Sequence, residues 1–515
     1  MSQEYLFEPI PLHQLDTLSK EDFKVLVQGL QDTVKQLRSL NSDLKKEQHQ
    51  SDLQTVLLNE QYVTLRSKFF GRSSERRPSS ELKNTYEQAQ QKLPPKERVQ
   101  LPSLRYPNAP LVEREVEFQD IPNCSCCGEG LTDSGMTEDS ERLTVIPKKF
   151  IVERLKRHKY RCESCHGDLV TAPNLPRIKE GSSYGDELII DVAVAKYDYL
   201  VPVERYVRMA ADLGVEGLPP QSLIETTHYL ADYLEPIYEG IQTEVREADV
   251  LHADETPHRM LEGDKKQAWY LWGFSTHRSS YFELHNTRSG DVASRFLTEA
   301  ACTYLMSDVY SGYKKAVGDA NEVRRKKGLR SIDSLYCNAH ARRKFKDSKE
   351  SFETESSYFL DQYQRIYHLE SLTIQQSKED RIRARVEMRL IFEEMRAQAL
   401  DLIQQYPEKS SIGKAFSYFL KNFVELTRFT QDPALPIDNN SQERQMRNPV
   451  IGRKTWYGTH SKRGAKTAAI LFSIIESCKL NGLNSNEYLE AQVKNLQSGK
   501  PFETPANFTP ISTRH

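Results

Sequence analysis

Residues 437–454, IDNNSQERQMRNPVIGRK, set one carboxylate, Glu443, among amide and guanidinium groups. From Glu443 to Lys466 there are seven Lys or Arg against that single acid. A lone carboxylate in a cationic segment suits a site that holds a metal and a phosphate together. The plainer alternative is a helix start, with Asn440 as N-cap and Glu443 closing a capping box three residues on. The local pattern alone favours the cap, so partners elsewhere in the chain must decide. Two short apolar runs supply them: VLHAD (250–254) and TYLMSD (303–308) each end on an aspartate. Strand ends are where ligand sites gather in open α/β sheets. A single strand-end Asp is more simply a turn former or N-cap. That reading weakens for Asp254 and Asp308 together with Glu443. Glu255 is the nearest rival acid, but adjacent residues on an extended chain face opposite ways. Asp438 rivals Glu443 and reads as part of the helix start. His252, His258 and His340 could support metal ligands or handle protons, although an ordinary structural histidine is the simpler reading of each.

A second chemistry is carried by cysteines. Cys124 with Cys127 and Cys162 with Cys165 make two C-x-x-C knuckles, CSCC and CESC, which present four thiolates to a tetrahedral Zn²⁺. Redox or buried cysteines are the alternative. Cys126 reads as lying outside the ligand set, and His166 as a competing ligand. The 34 residues between Cys127 and Cys162 exceed a usual ribbon spacing. A β excursion using Ile146, Phe150, Val152 and Leu155 is expected there. The run LKRHKYR (155–161) would give this module a basic face.

The elements that must position these groups follow from patterning. The chain has 515 residues, room for three or four domains. With 38% hydrophobic and 28% charged residues it reads as a soluble, polar protein. Its net charge of −2 says little, because local clusters decide partners. One such cluster runs from Arg324 to Lys349, with ten Lys or Arg against two acids. No apolar run approaches the ~20 residues of a membrane span, and the N-terminus lacks signal-peptide character. A cytoplasmic location is expected, where cysteines serve metals or thiol chemistry more than disulfides. Phe23, Leu30, Leu37, Leu44, Leu58 and Leu65 share a heptad track, with Ser51 as a gap and Leu26 and Leu40 on a second track. This predicts a long helix that self-associates as a coiled coil; an amphipathic helix folded on its own chain is the alternative. A proline-interrupted linker follows.

Residues 186–248 read as helical, with a break at Gly214 and Gly217–Pro220 that invites a helix-turn-helix reading. The helix after the break, Ser222 to Tyr238, carries Glu225, Asp232 and Glu235 and no Lys or Arg, so packing is at least as good a reading. From Val250 the texture is α/β. Trp269–Phe274 and Tyr281–His285 continue the antiparallel-looking strands, and Ser334–His340 is a further strand candidate. Residues 351–430 read as a helical insertion, with Ile382, Val386, Leu390, Ile391 and Met395 on its stripe.

The chain resembles the insertion sequence 66 family of bacterial DDE transposases. The matching segments are FGRSSE (70–75), CSCCG with YRCESC, HADET (252–256), SDVYSGY (307–313), CNAHARRKF (337–345), DNN-x-x-E (438–443), GRK (452–454) and LNGL (480–483). Three positions depart from the pattern: Asn338 stands where Trp is common, Thr455 follows GRK where Asn is usual, and THSKRG replaces a GS-x-x-G-like turn. No acid is removed. The resemblance implies a multidomain α/β protein with an RNase H-like mixed-sheet catalytic core. Its expected plan is an N-terminal coiled coil (1–70), a linker (71–118), a zinc-ribbon-like module (119–177) and a helical segment (180–248). The core would then occupy 249–350 and 431–495 around the helical insertion (351–430), with a tail at 496–515. Catalysis is expected from Asp254, Asp308 and Glu443 around two Mg²⁺, with Mn²⁺ as a substitute, and structural Zn²⁺ at Cys124, Cys127, Cys162 and Cys165. The expected reaction is metal-dependent cleavage at the ends of an insertion element, followed by joining of the 3′-hydroxyl ends to target DNA. Arg342, Arg343, Arg444, Arg447, Arg453 and Lys454 are the expected contacts to the backbone of double-stranded DNA. Self-association, two small accessory proteins of the same element and a nucleoid-associated cytoplasmic location complete the expectation. The rivals are a nuclease that cuts without joining and a non-catalytic zinc-containing DNA-binding regulator.

Overall fold

The computed structural model describes residues 19–70 and 101–510, apart from 107–108, 115–122, 124, 131–139, 147, 162–168, 263–266 and 375. Helix α1 (Lys20–Phe70) is unbroken through Ser51, and Leu30, Leu37, Leu44, Leu58 and Leu65 of its heptad track are exposed. It touches the rest of the chain where Glu60 accepts from the Ser411 N–H at 2.9 Å. After a one-turn helix α2 (Pro102–Arg105), strands β1 (Lys159–Tyr160) and β2 (Val170–Thr171) pair as a two-stranded ribbon. Of the expected β excursion only β1 forms among the described residues between the knuckles; Ile146, Phe150, Val152 and Leu155 lie outside any strand. Ile146 and Val152 there are almost fully exposed, whereas Phe150 packs against Tyr206, so these side chains do not share one apolar face.

Four helices precede the sheet: α3 (Asp186–Tyr197), α4 (Val203–Asp212), α5 (Pro220–Tyr233) and α6 (Glu235–Glu247). The helix expected over Ser222–Tyr238 is thus two, α5 and α6, separated at Leu234 with Pro236 in the first turn of α6. Packing accounts for α5. Its Glu225 and Asp232 pair with Arg463, and His228 Nδ1 lies 2.7 Å from Thr467 Oγ1.

The remaining elements are β3 (Val250–Met260), β4 (Gln267–Ser275), β5 (Ser280–His285), α7 (Gly290–Glu299), β6 (Tyr304–Ser307), α8 (Ser311–Lys326), β7 (Asp333–Tyr336) and α9 (Asn338–Ser348). The helical insertion follows as α10 (Glu353–Thr373), α11 (Lys378–Leu402), α12 (Ser411–Lys421) and α13 (Phe423–Thr427). Then come α14 (Asn440–Trp456), α15 (Lys462–Leu480) and α16 (Ser485–Gln497). The five-stranded sheet has the order β5-β4-β3-β6-β7, with β3–β4 and β4–β5 antiparallel and β3–β6 and β6–β7 parallel. Edge strand β5 is covered by α15: Ser477 and Ser473 hydroxyls accept from the backbone N–H groups of Ser280 and Phe282, which blunts an otherwise open edge.

Two expectations about packing are corrected. On α11 the buried stripe is Ala384, Met388, Ile391, Phe392, Met395 and Ala399, whereas Ile382, Val386 and Leu390 are exposed. The stripe is displaced because Arg385 is buried, paired with Glu370 and donating to the Leu435 carbonyl. In the cationic run 324–349, Arg324 is buried too, donating to the carbonyls of Leu297, Ala300, Cys302 and Arg330. It ties α8 to the loop before β6 and leaves that run one surface cation poorer.

Candidate functional site

The site lies where α14 crosses β3. On a strand, alternate residues share a face, and here His252, Asp254, Thr256 and His258 meet the chain from Asn439 to Thr459. His252 Nδ1 is 2.9 Å from Asn439 Oδ1, Arg453 Nη1 donates to Thr256 Oγ1 at 3.2 Å, and His258 Nε2 lies 3.1 Å from Thr459 Oγ1. Burial pushes His252 below its ordinary value. His258 is lowered to about 4 by burial and by the charge of Arg453. Both are neutral structural pins at pH 7.

Asp254 is not at a strand end, contrary to the expectation from VLHAD. Strand β3 pairs with β6 only over Val250–His252 but continues to Met260 as half of a hairpin with β4. Asp254 therefore stands just beyond the parallel pairing, in mid-strand. Asp308 does follow the last residue of β6, and its carboxylate accepts from the Tyr310 N–H at 3.1 Å. Glu443 lies in the first turn of α14. The capping box does not form: the N-cap is Asn439, which makes no side-chain cap bond. Asp438 instead accepts from Asn440 N and Nδ2 and from the Tyr367 hydroxyl of α10, so it shapes the helix start as expected.

Asp254 senses the charges of the other two acids. The Asp254 carboxyl is raised to about 8, by burial first and then by the charges of Glu255, Asp308 and Glu443; the Glu255 backbone N–H opposes the rise. Glu443 Oε1 is buried without a hydrogen-bond partner. Carboxylate oxygens are the donor type that Mg²⁺ or Mn²⁺ takes, although among the described residues the ligand atoms gathered within 4.8 Å are those of Cys337, His340 and Glu443 and not those of the three acids. In donor type the residues present thus fit divalent cations. Glu255, by contrast, is fully engaged. Arg288 donates to its Oε1 at 2.7 and 2.9 Å and the Tyr313 hydroxyl to its Oε2 at 2.6 Å.

Two residues that position the site escape a reading by motif. Asn439, 1% exposed, is hydrogen-bonded three ways. Its Nδ2 donates to the Ala253 carbonyl at 2.9 Å, its backbone N–H to Cys337 Sγ at 3.2 Å, and its Oδ1 faces His252. It fastens the start of α14 to both β3 and the end of β7. Gly273 is paired with Asp254 across the β3–β4 ladder. A Cβ there would lie 2.3 Å from Gln442 Nε2, 2.9 Å from Phe282 Cε1 and 3.1 Å from Met446 Sδ, so any other residue would force the side chains that α14 lays on the sheet to shift. A glycine inside a strand pattern is the available signal for such an approach. The insertion braces the same helix. Asn338, fully buried, donates from Nδ2 to the carbonyls of Leu426 and Ile437, which gives the departure from Trp a structural use.

Arg342, Arg343, Arg444, Arg447 and Lys454 are exposed on α9 and α14, while Arg453 is half-buried against Thr256. Of the expected zinc ligands, Cys127 is exposed in a turn; Cys124, Cys162 and Cys165 lie outside the described residues, as does His166. Among the described residues no helix is long and apolar enough to cross a membrane.

The family model described as "Transposase IS66 family" matches residues 181–467, which spans the sheet, the acids and the insertion. The chain belongs to the IS66 transposase family. A second model, the zinc-finger binding domain of transposase IS66, matches residues 122–166 and supports zinc at the cysteine knuckles of this transposase. The chain is also similar to proteins of Sinorhizobium fredii that are themselves uncharacterised. It is 27% identical to y4jD over 389 residues, covering 73% of this chain and 75% of that protein. It is 26% identical to y4hP over 406 residues, covering 73% and 71%.

Proposed function

We propose that this IS66-family transposase binds the ends of an insertion element, cleaves them by metal-dependent hydrolysis and joins the resulting 3′-hydroxyl ends to target DNA. The observation that carries the reading is the IS66 family match over residues 181–467, which takes in all three acids; the raised Asp254 carboxyl supports it, with burial and Glu255 as its larger causes and Asp308 and Glu443 among the rest. Sequence motifs far apart in the chain thus act on one proton. The sheet order and the position of α14 support an RNase H-like core. Asp254, Asp308 and Glu443 would hold two divalent cations, which when bound stabilise the attacking and leaving oxygens of an in-line displacement. The chain's own residues do the rest. Exposed Arg342, Arg343, Arg444, Arg447 and Lys454, with Arg453 behind them, hold the DNA backbone without reading sequence. Asn439 and Gly273 fix Glu443 against β3. No protein nucleophile is assigned, because water and then a DNA hydroxyl serve. The exposed heptad track of α1 supports self-association, and the zinc module with its basic flank supports a second DNA contact.

The test is purified protein with Mg²⁺ and a duplex carrying the element's terminal repeats, with and without the accessory proteins of that element. Strand transfer supports the proposal. Cleavage without joining would make the protein a nuclease, and binding without cleavage a regulator. Asp254→Asn and Glu443→Gln variants that cut as well as the parent would remove the site assignment.

A further inference from the structure

Beside the acid cluster lies a second set of donors of different chemistry. Cys337, His340 and Glu443 each offer one ligand atom, and these atoms lie within 4.8 Å of one another. The C-x-x-H spacing places Cys337 as the N-cap of α9 and His340 one turn into it, with the His340 N–H donating to the Cys337 carbonyl at 3.2 Å. Cys337 Sγ faces the start of α14 and accepts from the Asn439 N–H. Burial holds the metal-free thiol protonated, up to about 12, so an ion that binds releases this proton, and the Asn439 N–H then stabilises the thiolate. His340 Nδ1 and Glu443 Oε1 are both buried without a hydrogen-bond partner, 3.8 Å apart and too far to satisfy each other. His252 and His258, which also line this face, each have one ring nitrogen engaged, Nδ1 with Asn439 and Nε2 with Thr459.

We propose that Cys337, His340 and Glu443 form a binding site for Zn²⁺ or a cation of similar softness, and that filling it takes Glu443 from the acid cluster and silences the chain. Bonds of roughly 2.0–2.3 Å set tetrahedral ligand atoms about 3.5 Å apart, so the donors need only close in slightly around the ion. Thiolate and imidazole favour zinc over Mg²⁺, whereas the carboxylates of Asp254 and Asp308 favour Mg²⁺. The two sites are thereby separated by chemistry yet coupled through one shared carboxylate. Metal binding stands on these three residues alone. The silencing rests on the reading of Asp254, Asp308 and Glu443 as the catalytic set.

The test uses the full chain with its zinc module already filled, titrated with Co²⁺ as a spectroscopic probe. One further Co²⁺ should bind with a thiolate-to-metal charge-transfer band, which oxygen ligation at the acid cluster cannot produce. Cys337→Ser, which keeps an acceptor for Asn439, and His340→Gln should each lose the band and bind that ion at least ~10-fold more weakly. Absence of the band in the parent chain, or its persistence in both variants, overturns the site. For silencing, Zn²⁺ added to a Mg²⁺-driven cleavage reaction should slow the parent ~10-fold while leaving His340→Gln at its own zinc-free rate. Equal inhibition of both overturns it. Absence of cleavage before zinc is added overturns the catalytic reading and the silencing with it, and leaves the cobalt result standing.

Discussion

Asp254 and Glu255 are neighbours on β3, yet the two faces of that strand treat a carboxylate in opposite ways. On one face Glu255 receives a guanidinium and a phenol. On the other, among the described residues, Asp254 receives only the backbone N–H of Glu255, with Asp308 and Glu443 close enough to raise its pKa. Burial raises both acids; hydrogen bonds from Tyr313 and Arg288 oppose the rise at Glu255, whose carboxyl still stays above its ordinary value. Glu255 is a settled structural pair. Among the described residues Asp254 lacks a cationic or phenolic partner, and a buried acid perturbed by neighbouring carboxylates is a candidate for a functional site.

Asp254→Asn should break the comparison most strongly. Metal-dependent cleavage should fall by more than the roughly 100-fold that loss of a metal's supporting partner causes. The metal-free protein should at the same time become more stable. In the fold the carboxyl holds its proton up to about 8, while the unfolded chain releases it near 3.8. Its contribution is therefore fully present below the ordinary value and is lost as pH rises through about 8. Thermal melts from pH 5 to 8 without metal should show stability declining with pH in the parent and a shallower slope in the variant. An unchanged slope would mean that Asp254 is not the group that titrates.

Gly273→Ala comes next. Its methyl group must displace the Gln442 side chain of α14 and the Phe282 ring, at a cost of about 1–3 kcal/mol for overpacking. Cleavage should fall further than the melting temperature alone explains, because the displaced Gln442 belongs to the element that carries Glu443. Glu255→Gln should show the converse. It weakens a charge-assisted pair, with a stability loss of roughly 1–3 kcal/mol in denaturant melts, yet the response to Mg²⁺ should survive. The smallest effect is expected from Arg444→Ala, which should leave the fold unchanged and reduce the salt slope of DNA binding by about one.

Much of this site is legible in the sequence because it is built from chemistry carried in short motifs. HADET, SDVYSGY and DNN-x-x-E name the three acids, and short apolar runs locate the strands around them but not their ends: β3 continues past Asp254 to Met260 because β4 pairs with it, and β7 stops at Tyr336, where α9 begins two residues on. What escapes is contact between distant segments. The Gly273 requirement exists because Gln442 and Phe282 pack against it, and Asn439 looks like any residue at a helix start until Ala253 and Cys337 meet it. The α11 stripe misleads for the same reason: Arg385 is buried by its pairing with Glu370, a partner that periodicity along one helix does not reveal. Arg324 is counted with surface cations until four carbonyls enclose it.

The central claim is that Asp254, Asp308 and Glu443 bind the same divalent cations. Calorimetric titration of Mn²⁺ into the full chain, with its zinc module filled, tests it against Asp254→Asn, Asp308→Asn and Glu443→Gln. The account predicts binding to the parent and at least ~10-fold weaker binding to each of the three variants. A folded variant of any one of these acids that binds Mn²⁺ as the parent does would contradict it.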